Sequence, residues 1–476
     1  MDSQAHLNEI GTVDAMRQKS VPQIGPDGQP IAQFAEEDHP DIENVEDGIE
    51  HSDEDVPVSP DGLQIDPRAS VDKFAEPGRV RRMATVMNLL NALLGAGILG
   101  VPKSLHACGW VVSLILLLVI AVLSHIGTVM TIKLQYRTKA TGFDHLALIT
   151  LGNTGSLALS ICTMLFCVSC MTAYLVIGGD MIMTWLRLAG ITVTGTWNRA
   201  ILILVYALII PAALTIPRSI QFLSYFSSAT VICIGMFFVA MIIKGFTTLP
   251  KQGIHSSIVA SDLGMGLFSA MSVYGLAFAL PVVILPIIQP YNKDLNKRGV
   301  ISLATFIICF FLVAIPGVIG YFIFGKDVKD NVLLSFPDGD FLITLVRIGF
   351  FLVVSFSYPC IGQGILSSFS QVLYSINNHA ELPSSQRLWV LICTNVIPII
   401  LAMFIPNVGT ALGIGGAFGG CLADFFYPAL MWFVISKKQW THPHNLLCIL
   451  FAVFGLVSAA ICTYVAISDA VKAYSK

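Results

Sequence analysis

The 476-residue chain is 55% hydrophobic and only 12% charged, with a mean hydropathy of +0.76, whereas a soluble globular protein carries about 25% charged residues. That balance excludes an ordinary soluble protein and identifies an integral membrane protein. The formal net charge of -3 conceals two unlike parts: residues 1–78 hold 19 Asp/Glu against 4 Lys/Arg (net -15), and the remainder holds 11 acids against 23 bases (net +12).

Residues 1–78 are rich in Pro, Gly, Gln and acids with scattered hydrophobes, too few to offset the entropy of ordering the chain. They are expected to form a disordered acidic tail on the cytoplasmic side, since they lack the basic start and apolar run of a signal peptide. PDG at 26–28 followed by QFAEE, and PDG at 60–62 followed by KFAEP, form a faint duplication that reads as a repetitive spacer or a pair of docking peptides for a cytoplasmic partner. From Arg79 the chain forms the transmembrane domain, residues 79–476. Apolar windows of about 20 residues, the length that crosses ~30 Å of hydrocarbon, predict eleven spans near 84–105, 109–133, 155–179, 198–216, 221–246, 262–290, 299–324, 341–373, 388–405, 408–435 and 445–468. The expected fold class is therefore an all-α integral membrane protein of about 11 transmembrane helices. Thirteen Lys/Arg fall on the side of Arg79, Arg81 and Arg82 and nine on the other, which puts the N-terminus in the cytoplasm.

The first span, NLLNALLGAGILGVPKSL at 88–105, is interrupted by Gly95, Gly97 and Gly100. Broken backbone is tolerated at membrane depth only where protein or a cavity covers it. Amides after Gly97 are then expected to face an anionic group, and unwound carbonyls before it a cation. In the third span Cys167 and Cys170 form CVSC, but no His, Asp or Glu lies within two turns, and both read as packing residues. The sixth span, SVYGLAFALPVVILPIIQPY, carries Pro281 and Pro286, which remove amide donors and disfavour a continuous helix. Interrupted helices five spans apart point to an inverted-repeat secondary transporter, spans 1–5 and 6–10 forming the repeats, with substrate near the midplane.

NLLNALLGAGILGVP, AYLVIGGD at 173–180, VILPI at 283–287, GYFIFGKDVKDNVLLSFP at 320–337 and IPNVGTALGIGGAFGGCLADFFYPAL at 405–430 together resemble the successive hallmarks of the amino acid/auxin permease family. The resemblance covers residue 79 to about 470. It implies a LeuT-like 5+5 inverted repeat with helices 1 and 6 broken, and secondary active symport of amino acids by alternating access. Many members have His-Pro before the helix 6 stretch, and Pro281 stands where that His is expected.

On this resemblance the substrate carboxylate is expected at the amides of Gly97, Ile98 and Leu99, where small residues allow close approach, with Phe278 and Ala279 walling the side-chain pocket. Asn91, one turn before Gly95, is a candidate for orienting the unwound carbonyls or gluing two helices. The coupling ion is open between H+ and Na+. Leu94 and Gly95 carbonyls with the Ser357 hydroxyl in VVSFSYP, preferred over Ser355, offer the oxygens a hard cation takes. Asp424, in a helix 10 expected to be peripheral to the substrate site, and Asp180, at the outer end of helix 3, are the acids available to proton coupling. Arg347, near the start of helix 8, is expected to be interfacial or snorkelling. No cofactor, metal beyond a possible sodium, nucleic-acid partner or enzyme motif is indicated. The competing functional class is a membrane amino-acid sensor signalling through the acidic tail; a channel lacks the polar stripe it needs. The membrane is expected to be plasma, vacuolar or lysosomal.

Overall fold

A computed structural model describes residues 81–95, 97–217, 221–374, 382–405, 407–436, 439 and 441–474. The acidic tail with its duplicated PDG lies outside the described residues, as do Arg79, Arg218, Glu381, Lys437, Lys438 and Lys476. Among the described residues the regular elements are helical: α1 (Arg82–Leu93), α2 (Gly97–Cys108), α3 (Trp110–Thr138), α4 (Phe143–Leu188), α5 (Thr196–Ile209), α6 (Gln221–Gln252), α7 (Gly266–Ala277), α8 (Pro281–Ile288), α9 (Leu295–Phe324), α10 (Phe341–Tyr374), α11 (Ser384–Phe404) and α12 (Val408–Gly416). A π-helix over Ala417–Phe426 continues α12 into α13 (Tyr427–Ile435), and α14 (Pro443–Tyr474) ends the described chain. Ten helices or merged helices are long and apolar enough to cross a membrane, or up to eleven when α1 and α2 are counted as one span bent by 57°.

Both interruptions lie where the backbone chemistry puts them. In helix 1 the chain leaves α1 at Leu94 (φ -82°, ψ 85°), and the Leu94 amide donates back to the Leu90 carbonyl at 2.7 Å. In helix 6, α7 ends at Ala277 and Pro281 opens α8, a position where its missing N–H costs nothing. The third predicted span, 155–179, is longer in the structure. It begins at Phe143 and passes through Gly152, whose φ of 72° and ψ of -171° kink the helix. The segment before the kink buries only Leu146, Ala147, Ile149 and their neighbours, so it is too short for an apolar window to detect. Gly109 turns α2 into α3 at φ 79°, and a Cβ there would strike the backbone of Ala260 and Ser261; the same strip of chain accepts the Trp110 amide at Val259 (3.1 Å).

Burial separates central from lipid-facing helices. The membrane window is 83% buried along Phe143–Leu188 and 72% along Gly266–Ile288, but 33% along Pro443–Lys472, so helices 3 and 6 form the centre. Exposed Ile115, Leu118 and Val122 on α3, and Leu447, Leu450 and Val453 on α14, are apolar side chains turned outward, as lipid requires.

Arg347 corrects an expectation. It is 0% exposed and donates to the carbonyls of Leu333 (2.8 Å), Phe336 (3.0 Å) and Asp338 (3.1 Å). The guanidinium fork satisfies the returning 333–338 loop over the start of α10, which a snorkelling side chain does not do. Arg347→Met leaves those carbonyls without this donor, and removal of such a buried partner costs on the order of 3 kcal/mol. The expected result is a clear drop in the thermal midpoint of the purified protein in detergent. Arg347→Lys should rescue only part of it because an ammonium lacks the planar fork.

Candidate site at the paired helix breaks

The two breaks touch. A Cβ built on Gly97, the first residue of α2, would lie 3.5 Å from the Cα and Cβ of Ala277, the last residue of α7. The amides of Gly97, Ile98 and Leu99 fall in the first turn of α2, where helix geometry supplies no partner within the helix and the dipole is positive. Ile98 and Leu99 are 2% and 0% exposed, so these donors lie in a low-dielectric interior. These are buried backbone donors at a helix start.

On the other side of the helix 1 break, three elements converge. Gly95 is half-buried, and a Cβ there would come within 2.9 Å of the Tyr174 hydroxyl from α4. Ser357 of α10 lies near that hydroxyl. Ser355 is engaged elsewhere, with Tyr206 of α5 at 2.9 Å, so the two serines of VVSFSYP face different helices. Leu94, 2% exposed, and half-buried Asn91 lie on the same α1 approach. Tyr174 was not singled out from the sequence. The available signal was a tyrosine within AYLVIGGD, midway along an apolar span, where its hydroxyl needs a partner.

Phe278 and Ala279 fall in the helix 6 break, both buried. The Phe278 ring stacks on Phe306 of α9, centroids 5.9 Å apart at 17°. Phe306 in turn meets His125 of α3 edge-on at 5.5 Å.

Asp424 belongs to a second cluster, and its surroundings correct the expectation that helix 10 is peripheral. It lies in the π-helix, 0% exposed, and accepts the Ser124 hydroxyl from α3 at 2.7 Å. Gly127 packs on the Asp424 backbone and near Pro281, while Gly416 and Gly420 pack on the backbones of Ser272 and Gly275 in α7. Small residues thus let helix 10 lie directly on helix 6. The site residues fall into two groups, one around Gly97 and Ala277 and one around Ser124 and Asp424, and Asp180 belongs to neither.

Asp180 lines a chamber of about 450 Å³ at the end opposite the base-rich one, with Lys103, Lys329 and Asp330. Asp330 and Lys103 also line a neighbouring cavity of about 590 Å³ that reaches Gly100, one turn beyond Gly97. Burial pushes the Asp330 carboxyl above the usual carboxylate range, and Lys103 opposes the shift. Among the described residues no group of three or more His, Cys, Asp or Glu is arranged to hold a metal ion.

A helical membrane protein with two discontinuous spans meeting at its centre belongs, by architecture, among the LeuT-like carriers. The chain is a member of the transmembrane amino acid transporter protein family, whose model matches residues 80–468. It is 25% identical over 376 residues to amino acid transporter AVT6E of Arabidopsis thaliana, covering 74% of this chain and 76% of that protein. Sodium-coupled neutral amino acid transporter 7 of Xenopus laevis is 25% identical over 378 residues, 76% and 82% of the two chains. Amino acid transporter AVT1J of Arabidopsis thaliana is 26% identical over 414 residues, 85% and 95%. These relatives are transporters, not enzymes.

Proposed function

We propose that this chain is a secondary active amino acid transporter that binds the substrate carboxylate at the first-turn amides of Gly97, Ile98 and Leu99 and works by alternating access. The observation that carries the reading is the junction of the two breaks at Gly97 and Ala277, where buried helix-start amides meet the end of α7. Phe278 and Ala279 are the proposed side-chain wall, and Asn91 orients the α1 end. Tyr174 joins the proposed site as a hydroxyl reaching both Gly95 and Ser357. The driving ion is proposed to be the proton, carried by Asp424. Asp180, beside Lys103 and Asp330 in the outer chamber, is a secondary candidate on the ion path. The N-terminus is proposed to be cytoplasmic on the charge bias of the loops, in a plasma, vacuolar or lysosomal membrane. The acidic tail, residues 1–78, is assigned to cytoplasmic partners rather than to transport.

The test is uptake of labelled amino acids into proteoliposomes under separate proton and sodium gradients, with competition by a substrate and its amide. If backbone amides hold a carboxylate, leucine inhibits uptake of a labelled neutral amino acid while leucinamide competes at least tenfold more weakly, the loss expected when a charge-assisted hydrogen bond worth ~1.5–3 kcal/mol is removed. Equal inhibition by leucine and leucinamide removes carboxylate capture at Gly97.

A further inference from the structure

A second cavity, of about 560 Å³, opens between α3 and α14 and takes no part in the transport site. Its apolar floor includes Ile126, Phe451 and Phe454, and its mouth carries Lys133, Trp432 and His444. The mouth is built. Arg137, one turn beyond Lys133, lies with its guanidinium carbon 5.0 Å from the centre of the Trp432 ring. The other partner of that indole is His444, stacked at 5.8 Å and 28°. Cation–π contact and ring stacking hold the two basic groups in place, and none of the residues lining the groove is acidic.

The depth matches one leaflet. From Leu123 to Lys133 along α3, and from His444 to Phe454 along α14, each wall is about 15 Å long at 1.5 Å per residue, half of the ~30 Å hydrocarbon core. The basic rim therefore falls at headgroup level on the base-rich side, and the apolar floor ends near the bilayer midplane. We infer that this groove is a binding site for one anionic phospholipid of that leaflet, its phosphate at Lys133, Arg137 and His444 and an acyl chain along Ile126 and Phe451. Charge complementarity decides the class: a sterol brings no anion, a zwitterionic lipid offsets its phosphate with its own cation, and basic pockets between spans are the general form of anionic headgroup sites. At the floor, His125 bonds Ser302 of α9 at 3.2 Å and meets Phe306, the ring that stacks on Phe278. A bound acyl chain thus ends two ring contacts from the helix 6 break.

The experiment is native mass spectrometry of the full-length protein titrated in detergent with phosphatidylglycerol and, separately, phosphatidylcholine. Wild type is expected to retain one phosphatidylglycerol in clear preference to phosphatidylcholine. K133Q/R137Q should lose that preference by about fivefold per base removed, since each base near an anionic surface is worth ~1 kcal/mol. Leu447→Trp, on an outward-facing wall position 67% exposed and therefore harmless to folding, should fill the groove and reduce retention of both lipids. Lys297→Gln, on the same side of the membrane but outside the groove, should change neither. Equal retention of the two lipids by wild type, or an unaltered preference in K133Q/R137Q, overturns the inference.

Discussion

Gly97→Leu is expected to abolish amino acid uptake while the protein still inserts and purifies, and Gly97→Ala is expected to keep a measurable fraction of it. The difference follows from one distance. A Cβ at position 97 lies 3.5 Å from Ala277, ordinary van der Waals contact, so a methyl group fits without moving either helix. The rest of a leucine side chain has no such room and forces α2 away from α7, which separates the two breaks and displaces the first-turn amides. Overpacking of this kind costs 1–3 kcal/mol or more. At the upper end, expressed at the transport step, that is a loss on the order of 10². Initial uptake rates in proteoliposomes, normalised to reconstituted protein, separate the cases. Full uptake by Gly97→Leu, or equal damage from alanine and leucine, removes the close junction from the mechanism.

The helix breaks could be read from the sequence because both rest on backbone chemistry that particular residues impose: glycines at 95 and 97, and Pro281 after Ala279 and Leu280. The number of spans was equally legible, since lipid demands long apolar runs. What pairs across helices was not. Nothing in the local sequence of Arg347 separates a guanidinium at an interface from one that is 0% exposed and capping three carbonyls. Ser355 and Ser357 lie two residues apart, and only the packing of α10 sends Ser355 to Tyr206 and leaves Ser357 near Tyr174. Helix 10 was misjudged for a similar reason. Its glycines advertise a close neighbour without saying which, and that neighbour is the α7 backbone.

Asp424→Asn is expected to lose pH-driven accumulation yet retain substrate exchange, while Ser357→Ala remains proton-driven. Asp424 is fully buried, receives the Ser124 hydroxyl at 2.7 Å, and has no nearby cationic side chain acting on it. A carboxylate at membrane depth without a counter-charge is costly, which is why Asp424 is the proposed proton carrier. In the proposed cycle, a group that takes up a proton on one side and releases it on the other carries one proton per turnover. The Asp424 helix packs on α7 through Gly416 and Gly420, next to the helix 6 break. Asparagine keeps the shape and an acceptor oxygen for Ser124 but cannot release a proton. With one proton per substrate, a gradient of one pH unit is worth ~1.4 kcal/mol and drives about tenfold accumulation. Asp424→Asn should lower that to about onefold while counterflow of labelled against unlabelled substrate continues. The rival arrangement uses the Leu94 and Gly95 carbonyls with the Ser357 hydroxyl as oxygens for sodium. Sodium-dependent uptake that vanishes in Ser357→Ala and survives in Asp424→Asn assigns the coupling to that cluster and removes Asp424 from it.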